Sequence, residues 1–328
     1  MVHIIVDAMG GDLGSSIVVE AVDKFLHDFQ DVKITLVGKK EELISLENKC
    51  RILDARDIVP MEAGALEVMR LKNSSMMVAL KTLKEEGLDA IVSCGSTGGF
   101  LSASTITLKM IPGVKRAALV APFPTQIKDK KVVVLDCGAS NENSAEELVQ
   151  FALMGKLYSQ SVYHVENPKV YMLSNGTETG KGSPEGVLAS KMLVEQKFDG
   201  FMGNIEGKNA LSGDADVIVA DGFTGNVFVK SCEGVAKMLG GMMKNAFTKN
   251  LWAKMGYLHV KRGMKDLKET MDYKKTGGAM LLGVNGIVVK AHGSSDAKSF
   301  YYAILVAKLL AENDVVNKIK KGLENEKH

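Results

Sequence analysis

The sequence predicts an α/β protein built on a mainly parallel sheet with helices on both faces. Three observations carry this. Strand-like runs alternate with segments of helical period along the whole chain. Most of those runs are continuously apolar, as strands covered on two faces are. Nearly every run also ends in a loop of glycines, acids or hydroxyl residues, the place where open α/β sheets bind ligands.

Val2 to Val6 is the first strand. It ends in Asp7-Ala8-Met9-Gly10-Gly11-Asp12, and Ile17, Ala21, Phe25 and Phe29 then keep helical spacing. Lys33 to Val37 reads as a strand, Lys39 to Leu46 as a helix, and Ile58-Val59 as a strand fragment before Pro60. Ser74 to Glu86 is a helix that Gly87 closes in a left-handed cap. Asp89 to Ser93 feeds the glycine turn Cys94-Gly95-Ser96-Thr97-Gly98-Gly99 and a helix opening at Phe100. Glycines there allow close backbone approach and the helix start leaves unpaired N–H donors, an arrangement suited to phosphate.

Ala117 to Ala121 is a strand stopped by Pro122 and Pro124, since proline lacks the ladder donor. Lys131 to Leu135 follows, ending in Asp136-Cys137-Gly138-Ala139-Ser140-Asn141, and Ser144 with Glu147 forms a capping box for the next helix. Val170 to Leu173 leads to the loop Ser174 to Gly182, with Ser183-Pro184 as N-cap and first helical residue. Gly200 to Met202 precedes Gly203-Asn204-Ile205-Glu206-Gly207, and Asp216 to Ala220 precedes Asp221-Gly222-Phe223-Thr224-Gly225-Asn226. Gly286 to Ala291 runs into His292-Gly293-Ser294-Ser295-Asp296, where Asp296 caps the helix through Leu309. Since carboxyl ends of parallel strands share an edge, these loops are expected to form one site.

The 328 residues allow a large core, and a net charge of +2 gives no field directed at nucleic acid. Four scattered cysteines without a CxxC pair fit a reduced cytoplasmic setting better than a zinc or disulfide framework. Met1 to Asp7 predicts no signal peptide, and no run of about 18 apolar residues predicts a membrane span.

Familiar nucleotide signatures fail. Gly176 to Ser183 has too short a spacer for a P-loop and Gly182 in the magnesium-ligand position, and no GxGxxG follows the first strand. No metal or cofactor is expected. Asp7, Asp136 and Asp221 either chelate a cation or fix their turns, and spacing favours no metal. Cys94 and Cys137 read as packing residues rather than acyl-carrying nucleophiles. Residues 237–275 stand apart: Leu239, Met243, Phe247, Leu251, Met255 and Leu258 keep helical steps among Lys237, Lys244, Lys249, Lys254, Lys261, Arg262 and Lys265, beside the single Trp252. This basic amphipathic insertion suits an anionic membrane surface, an acidic protein partner, or a dimer or core contact.

Taken in order, Ile5 to Asp12, Ser93 to Gly99, Gly203 to Gly207, Asp221 to Asn226 and Ala291 to Asp296 resemble the PlsX family of bacterial phosphate acyltransferases of phospholipid synthesis. Cys94, Ser96 and Gly99 depart from that family's Ala, Asn and Ala, and Ser140 from its Asn. The resemblance implies a three-layer α/β/α Rossmann-like fold related to phosphotransacetylases and isopropylmalate-type dehydrogenases. It implies one catalytic domain over residues 1–328 with 237–275 protruding. It also implies acyl transfer from acyl carrier protein to inorganic phosphate, in a homodimer peripheral to the membrane, beside a downstream membrane acyltransferase. A short-chain enzyme using acyl-CoA is the alternative.

On that reading Lys181, Asn226 and His292 are the expected catalytic residues. Backbone N–H groups of Ser96, Thr97, Gly98 and Gly99, with the Ser96, Thr97 and Lys181 side chains, would hold phosphate, Asn226 and backbone donors beside Thr224 would polarise the thioester carbonyl, and His292 would orient phosphate or stabilise the tetrahedral charge. Asp7, Gly10, Gly11, Asn204, Glu206, Asp221, Thr224, Ser294 and Ser295 complete the expected substrate contacts. Lys249, Leu251, Trp252, Met255 and Arg262 would meet membrane or carrier protein.

Overall fold

The structure, a computed structural model, describes residues 1–270 and 277–325. Its strands are β1 (Val2–Asp7), β2 (Val32–Gly38), β3 (Arg51–Asp54), β4 (Ala90–Ser93), β5 (Ala118–Pro124), β6 (Lys131–Leu135), β7 (Val170–Ser174), β8 (Phe201–Glu206), β9 (Val217–Val219), β10 (Ala279–Leu282) and β11 (Ile287–Lys290). The helices are α1 (Ser15–Asp28), α2 (Lys40–Leu43), α3 (Ala65–Arg70), α4 (Ser75–Glu86), α5 (Thr97–Leu108), α6 (Ala145–Tyr163), α7 (Pro184–Glu195), α8 (Gly222–Thr248), α9 (Leu251–Thr270), α10 (Ala297–Glu312) and α11 (Val315–Asn325).

One sheet holds the strands in the order β3-β2-β1-β4-β11-β10-β5-β6-β9-β7-β8. Alternate residues of its apolar strands serve opposite faces, so Ile4 and Val6 join one core and Ile5 the other. Phe25, Phe151, Tyr158 and Phe300 fill the first core from α1, α6 and α10, and Met76, Leu80 and Phe100 fill the second from α4 and α5. Each such side chain contributes about 1.5–3 kcal/mol by leaving water.

Local capping follows the sequence. Ser74 accepts from the Met77 N–H, Gly87 closes α4 at φ 63°, Ser144 and Glu147 form the reciprocal box, and Ser183 and Asp296 cap α7 and α10. Three local expectations fail. The third strand is β3 rather than Ile58-Val59. β5 continues through Pro122 and Pro124 because its pairing with β10 covers only Ala118 to Val120, leaving β6 as the sole neighbour where the prolines fall. Asn204 and Glu206 lie within β8 rather than in a loop after it, with a register shift beside them in the β7 pairing.

A larger difference concerns direction. β10 is antiparallel to both β11 and β5, and β5 is antiparallel to β6. The parallel set β6, β9, β7 and β8 therefore runs opposite to the set β3, β2, β1, β4 and β11. Carboxyl ends of the two halves lie at opposite edges, so the single loop rim expected from a parallel sheet is not formed.

Segment 237–275 is helical as far as it is described, and residues 271–275 lie outside the described residues. It is no separate insertion at its start: α8 runs unbroken from Gly222, and α9 folds back against it, with the Phe247 and Tyr257 rings 5.4 Å apart. Met243 and Phe247 are half-buried, whereas Leu239, Leu251, Met255 and Leu258 are exposed. The apolar stripe read along the sequence is thus divided between the hairpin seam and solvent.

Candidate active site

A cleft of about 570 Å³ crosses the middle of the sheet, over β5 and the start of β10. Loops from the first half, after β4 and β11, meet there with the loop after β6 and the first turns of α8. Thr97, Gly98, Asn226, His292, Ser294 and Ser295 all line it, so six of the expected residues come together.

The α5 end of the cleft is shaped by its cap. Ser96 is buried, accepts from the Gly99 N–H at 3.3 Å and donates to the Ala63 carbonyl at 3.2 Å. Its hydroxyl is committed to the backbone, which leaves Thr97 and Gly98, at the exposed first turn, to face the cleft. Gly10 lies a layer behind: a Cβ there would sit 2.5 Å from the Gly95 nitrogen, so the two glycine loops abut backbone to backbone. Gly11, at φ 91°, packs similarly against Cys94 and the Gly293 carbonyl.

Across from α5 stands the loop after β11. The His292 Nδ1 accepts from the Ser294 N–H at 3.2 Å, with the Ser294 hydroxyl at 2.9 Å. An imidazole whose Nδ1 accepts keeps its neutral-form proton on Nε2, making that atom the donor. Ser295 is buried and its N–H returns to the His292 carbonyl at 3.0 Å.

The three strand-end acids fix turns. Asp7 is buried and accepts from Ser75 Oγ at 2.6 Å, Ser93 Oγ at 2.7 Å and the Met9 N–H at 3.3 Å; burial raises its carboxyl above the usual range. Asp136 accepts from the N–H groups of Leu119, Gly138, Ala139 and Ser140 and from the Ser140 hydroxyl. Asp221 caps α8, taking both the N–H and the hydroxyl of Thr224, at 2.8 and 2.7 Å. Among the described residues no group of three His, Cys, Asp or Glu is placed to hold a metal ion. The thiols are inert by environment: burial pushes Cys94 up to about 12 and Cys137 higher still, and each donates to a carbonyl, of Gly10 and Val134 respectively.

The backbone at the start of α8 offers no donor to a substrate, contrary to the expectation beside Thr224. Gly222 donates to Asn143 Oδ1, Phe223 to the Asn141 carbonyl, Thr224 to Asp221 Oδ1 and Gly225 to the Asp221 carbonyl. Asn226, one turn on, is half-buried and lines the cleft through its side chain, against Gly138.

Lys181, Asn204 and Glu206 do not line the cleft. Asn204 and Glu206 belong to β8 and Lys181 to the loop between β7 and α7, at the outer end of the sheet. Asn204 Nδ2 donates to the Glu178 and Lys181 carbonyls at 2.9 and 3.1 Å, pinning that loop, while Glu206 pairs with Lys208 at 2.8 Å. Lys181 itself is exposed.

Sequence reasoning missed Asp12, Lys230, Glu233 and Lys290 as lining residues. Lys290 ends β11 with only 6% of its surface exposed. Its Nζ donates to the Ala291 carbonyl, and burial lowers its amine to about 8 against the opposing pull of Cys94, Asp7 and Asp12. A lysine closing an apolar strand just ahead of a histidine-glycine-serine loop is the signal that was present. The opposite wall of the cleft is apolar, built from Leu119, Ala121, Pro122 and Phe123 of β5 with Met61 and Val229.

The α8–α9 hairpin carries Leu251, Trp252 and Leu258 at 72%, 79% and 68% exposure, with Lys249 and Arg262 also exposed. Among the described residues no helix is long and apolar enough to cross a membrane.

Comparison with known proteins places this geometry. The family model described as "Fatty acid synthesis protein" matches residues 2–318. A phosphate acyltransferase of Exiguobacterium sp. is 42% identical over 323 residues, covering 97% of this chain and 98% of the relative. Among solved structures, a phosphotransacetylase from Streptococcus pyogenes superposes with a TM-score of 0.63 at 19% identity, covering 95% of this chain and 94% of that one. The EutD phosphotransacetylase from Staphylococcus aureus gives 0.61 at 17% identity, covering 94% of each chain. At such identities the likeness is one of fold.

Proposed function

Because the chain belongs to the fatty acid synthesis protein family and is a phosphate acyltransferase, we propose that its cleft transfers an acyl group from acyl carrier protein to inorganic phosphate. The observation that carries this is the juxtaposition of a polar end, with Thr97, Gly98, His292 and Ser294, and an apolar wall along β5 in one cleft. Phosphate needs donors and a helix N-terminus, an acyl chain needs an apolar surface, and a reaction between them needs both within one cavity.

The chemistry asks for positioning more than for a strong base. An oxygen of hydrogen phosphate, held by the first turn of α5 and by His292 Nε2, attacks the thioester carbonyl carbon. The carbonyl pair moves onto oxygen, where the Asn226 amide is the side chain placed to meet it. Collapse re-forms the carbonyl and breaks the C–S bond. The thiolate leaves with that pair and takes the proton that the attacking phosphate oxygen carried. Acyl phosphate and free carrier thiol result, with no metal or cofactor consumed.

The same proposal treats residues 1–328 as one catalytic unit acting as a homodimer, with the α8–α9 hairpin as its peripheral contact. Trp252 and Leu251 among lysines and arginine favour an anionic bilayer surface, beside which a membrane acyltransferase would receive the acyl phosphate.

The test is a donor comparison. The protein is incubated with phosphate and either long-chain acyl carrier thioester or short-chain acyl-CoA, and acyl phosphate is trapped as the hydroxamate. Product with the carrier thioester at least about tenfold faster is expected; preference for acyl-CoA would replace the carrier reading, and no product with either donor would reject the function.

A further inference from the structure

Lys290 stands out among the cleft residues as a buried ammonium with a single acceptor. It is 94% buried by its 6% exposure, lines the cleft beside His292, and an ammonium has three donors to place. Among the described residues Nζ has one acceptor, the carbonyl of Ala291, and no ion pair. Asp7 on β1, one of the carboxylates that pull on this amine, is already held by Ser75, Ser93 and the Met9 N–H. A buried cation with that coordination is costly unless an anion joins it, and Lys290 lines a cavity already furnished with anion donors.

We propose that Lys290 is a catalytic residue whose ammonium binds the phosphate nucleophile directly. The proposal rests on the phosphate acyltransferase reading and deepens it, since it names the group that supplies the positive charge in the cleft. In the reaction written above, the ammonium contacts a phosphate oxygen other than the attacking one and neither gains nor loses a proton overall. It offsets the negative charge that must approach a carbonyl on its way to an alkoxide.

The groups acting on this amine are few. Asp7 faces it from β1, Asp12 from the loop after β1, and Cys94 from the loop after β4; all three favour the charged form, and burial opposes them. His292 follows on its own loop, and α8 presents Lys230 and Glu233 across the cleft. With the amine brought to about 8, a working alkaline limit falls inside the accessible pH range.

The experiment compares wild type with Lys290→Met, which conserves volume, and Lys290→Arg, which conserves charge. Phosphate and acyl donor are varied separately, and the pH profile of kcat/KM for phosphate is recorded from pH 6 to 10. Lys290→Met is expected to lose about 100-fold in kcat/KM for phosphate, with KM for the acyl donor within about threefold. Wild type should lose activity above about pH 8, and Lys290→Arg should keep partial activity with that limb displaced upward. If Lys290→Met does not fold, the wild-type and Lys290→Arg profiles decide alone. A flat wild-type profile up to pH 10, or an active Lys290→Met with unchanged phosphate kinetics, overturns the proposal. Wild type making no acyl phosphate from any donor would instead overturn the reading beneath it.

Discussion

At the scale of single residues, two neighbours in space divide structure from chemistry. Asp7 is buried with three donors satisfied, so Asp7→Ala would leave two hydroxyls and an N–H without their acceptor. A loss of about 3 kcal/mol in urea unfolding is expected. Lys290 shows the converse cost. Its folded-state amine is lowered from 10.5 to about 8, so between those pH values the unfolded chain binds more protons than the folded one. Its contribution to stability therefore rises with pH across that window. Lys290→Met is expected to be the more stable protein at pH 7, by roughly 3 kcal/mol, with the gap closing toward pH 10.5; a gap independent of pH would contradict the buried ammonium. Lys181 is the contrasting lysine. From its solvated loop, Lys181→Ala should change turnover less than about threefold, whereas a loss of 100-fold or more would bring a second loop into the site. Thr97 and His292 were legible because each follows a strand in a motif with an obvious anion geometry. Lys290 was not, because nothing in the sequence separates a lysine that reaches solvent from one that closes over a cavity.

At the scale of elements, caps and periods carried well and long-range pairing did not. The Ser144–Glu147 box, the Gly87 cap and the Ser183 and Asp296 caps depend on residues three or four apart, which is the range over which sequence speaks plainly. β10 is only four residues long, and its antiparallel pairing with β11 through the short turn Gly283-Val284-Asn285-Gly286 is a hairpin signal that helical and strand periods pass over. The start of α8 illustrates how tightly a helix is set against a loop: a Cβ at Gly225 would lie 1.9 Å from the Asp136 carbonyl oxygen. Gly225→Ala should therefore lower the melting temperature by several degrees and displace Asn226; an unchanged melting curve would show that the loop yields freely. On the hairpin, Leu251→Asp with Met255→Asp should abolish flotation with anionic liposomes while sparing turnover of soluble substrate. Retained flotation would place the membrane contact elsewhere.

At the scale of the whole molecule, the reversal of strand direction at β10, β5 and β6 decides the site. A wholly parallel sheet would have collected every loop on one edge. Instead two oppositely running halves meet along β5, and the cleft draws the α5 and β11 loops from one half and the β6 loop and α8 from the other. Strand order is a property of connections across the sheet, invisible to periodicity, and it sets Asn204 and Glu206 on β8 and Lys181 after β7 at the outer end of the sheet, away from the cleft over β5. The central claim is that this cleft joins phosphate to an acyl group, and the most direct measurement follows isotopically labelled phosphate. With acyl carrier thioester present, label should enter a hydroxylamine-sensitive product in step with release of one thiol per phosphate consumed. Thiol release without label in that product would mean that water, not phosphate, receives the acyl group, and would contradict the account.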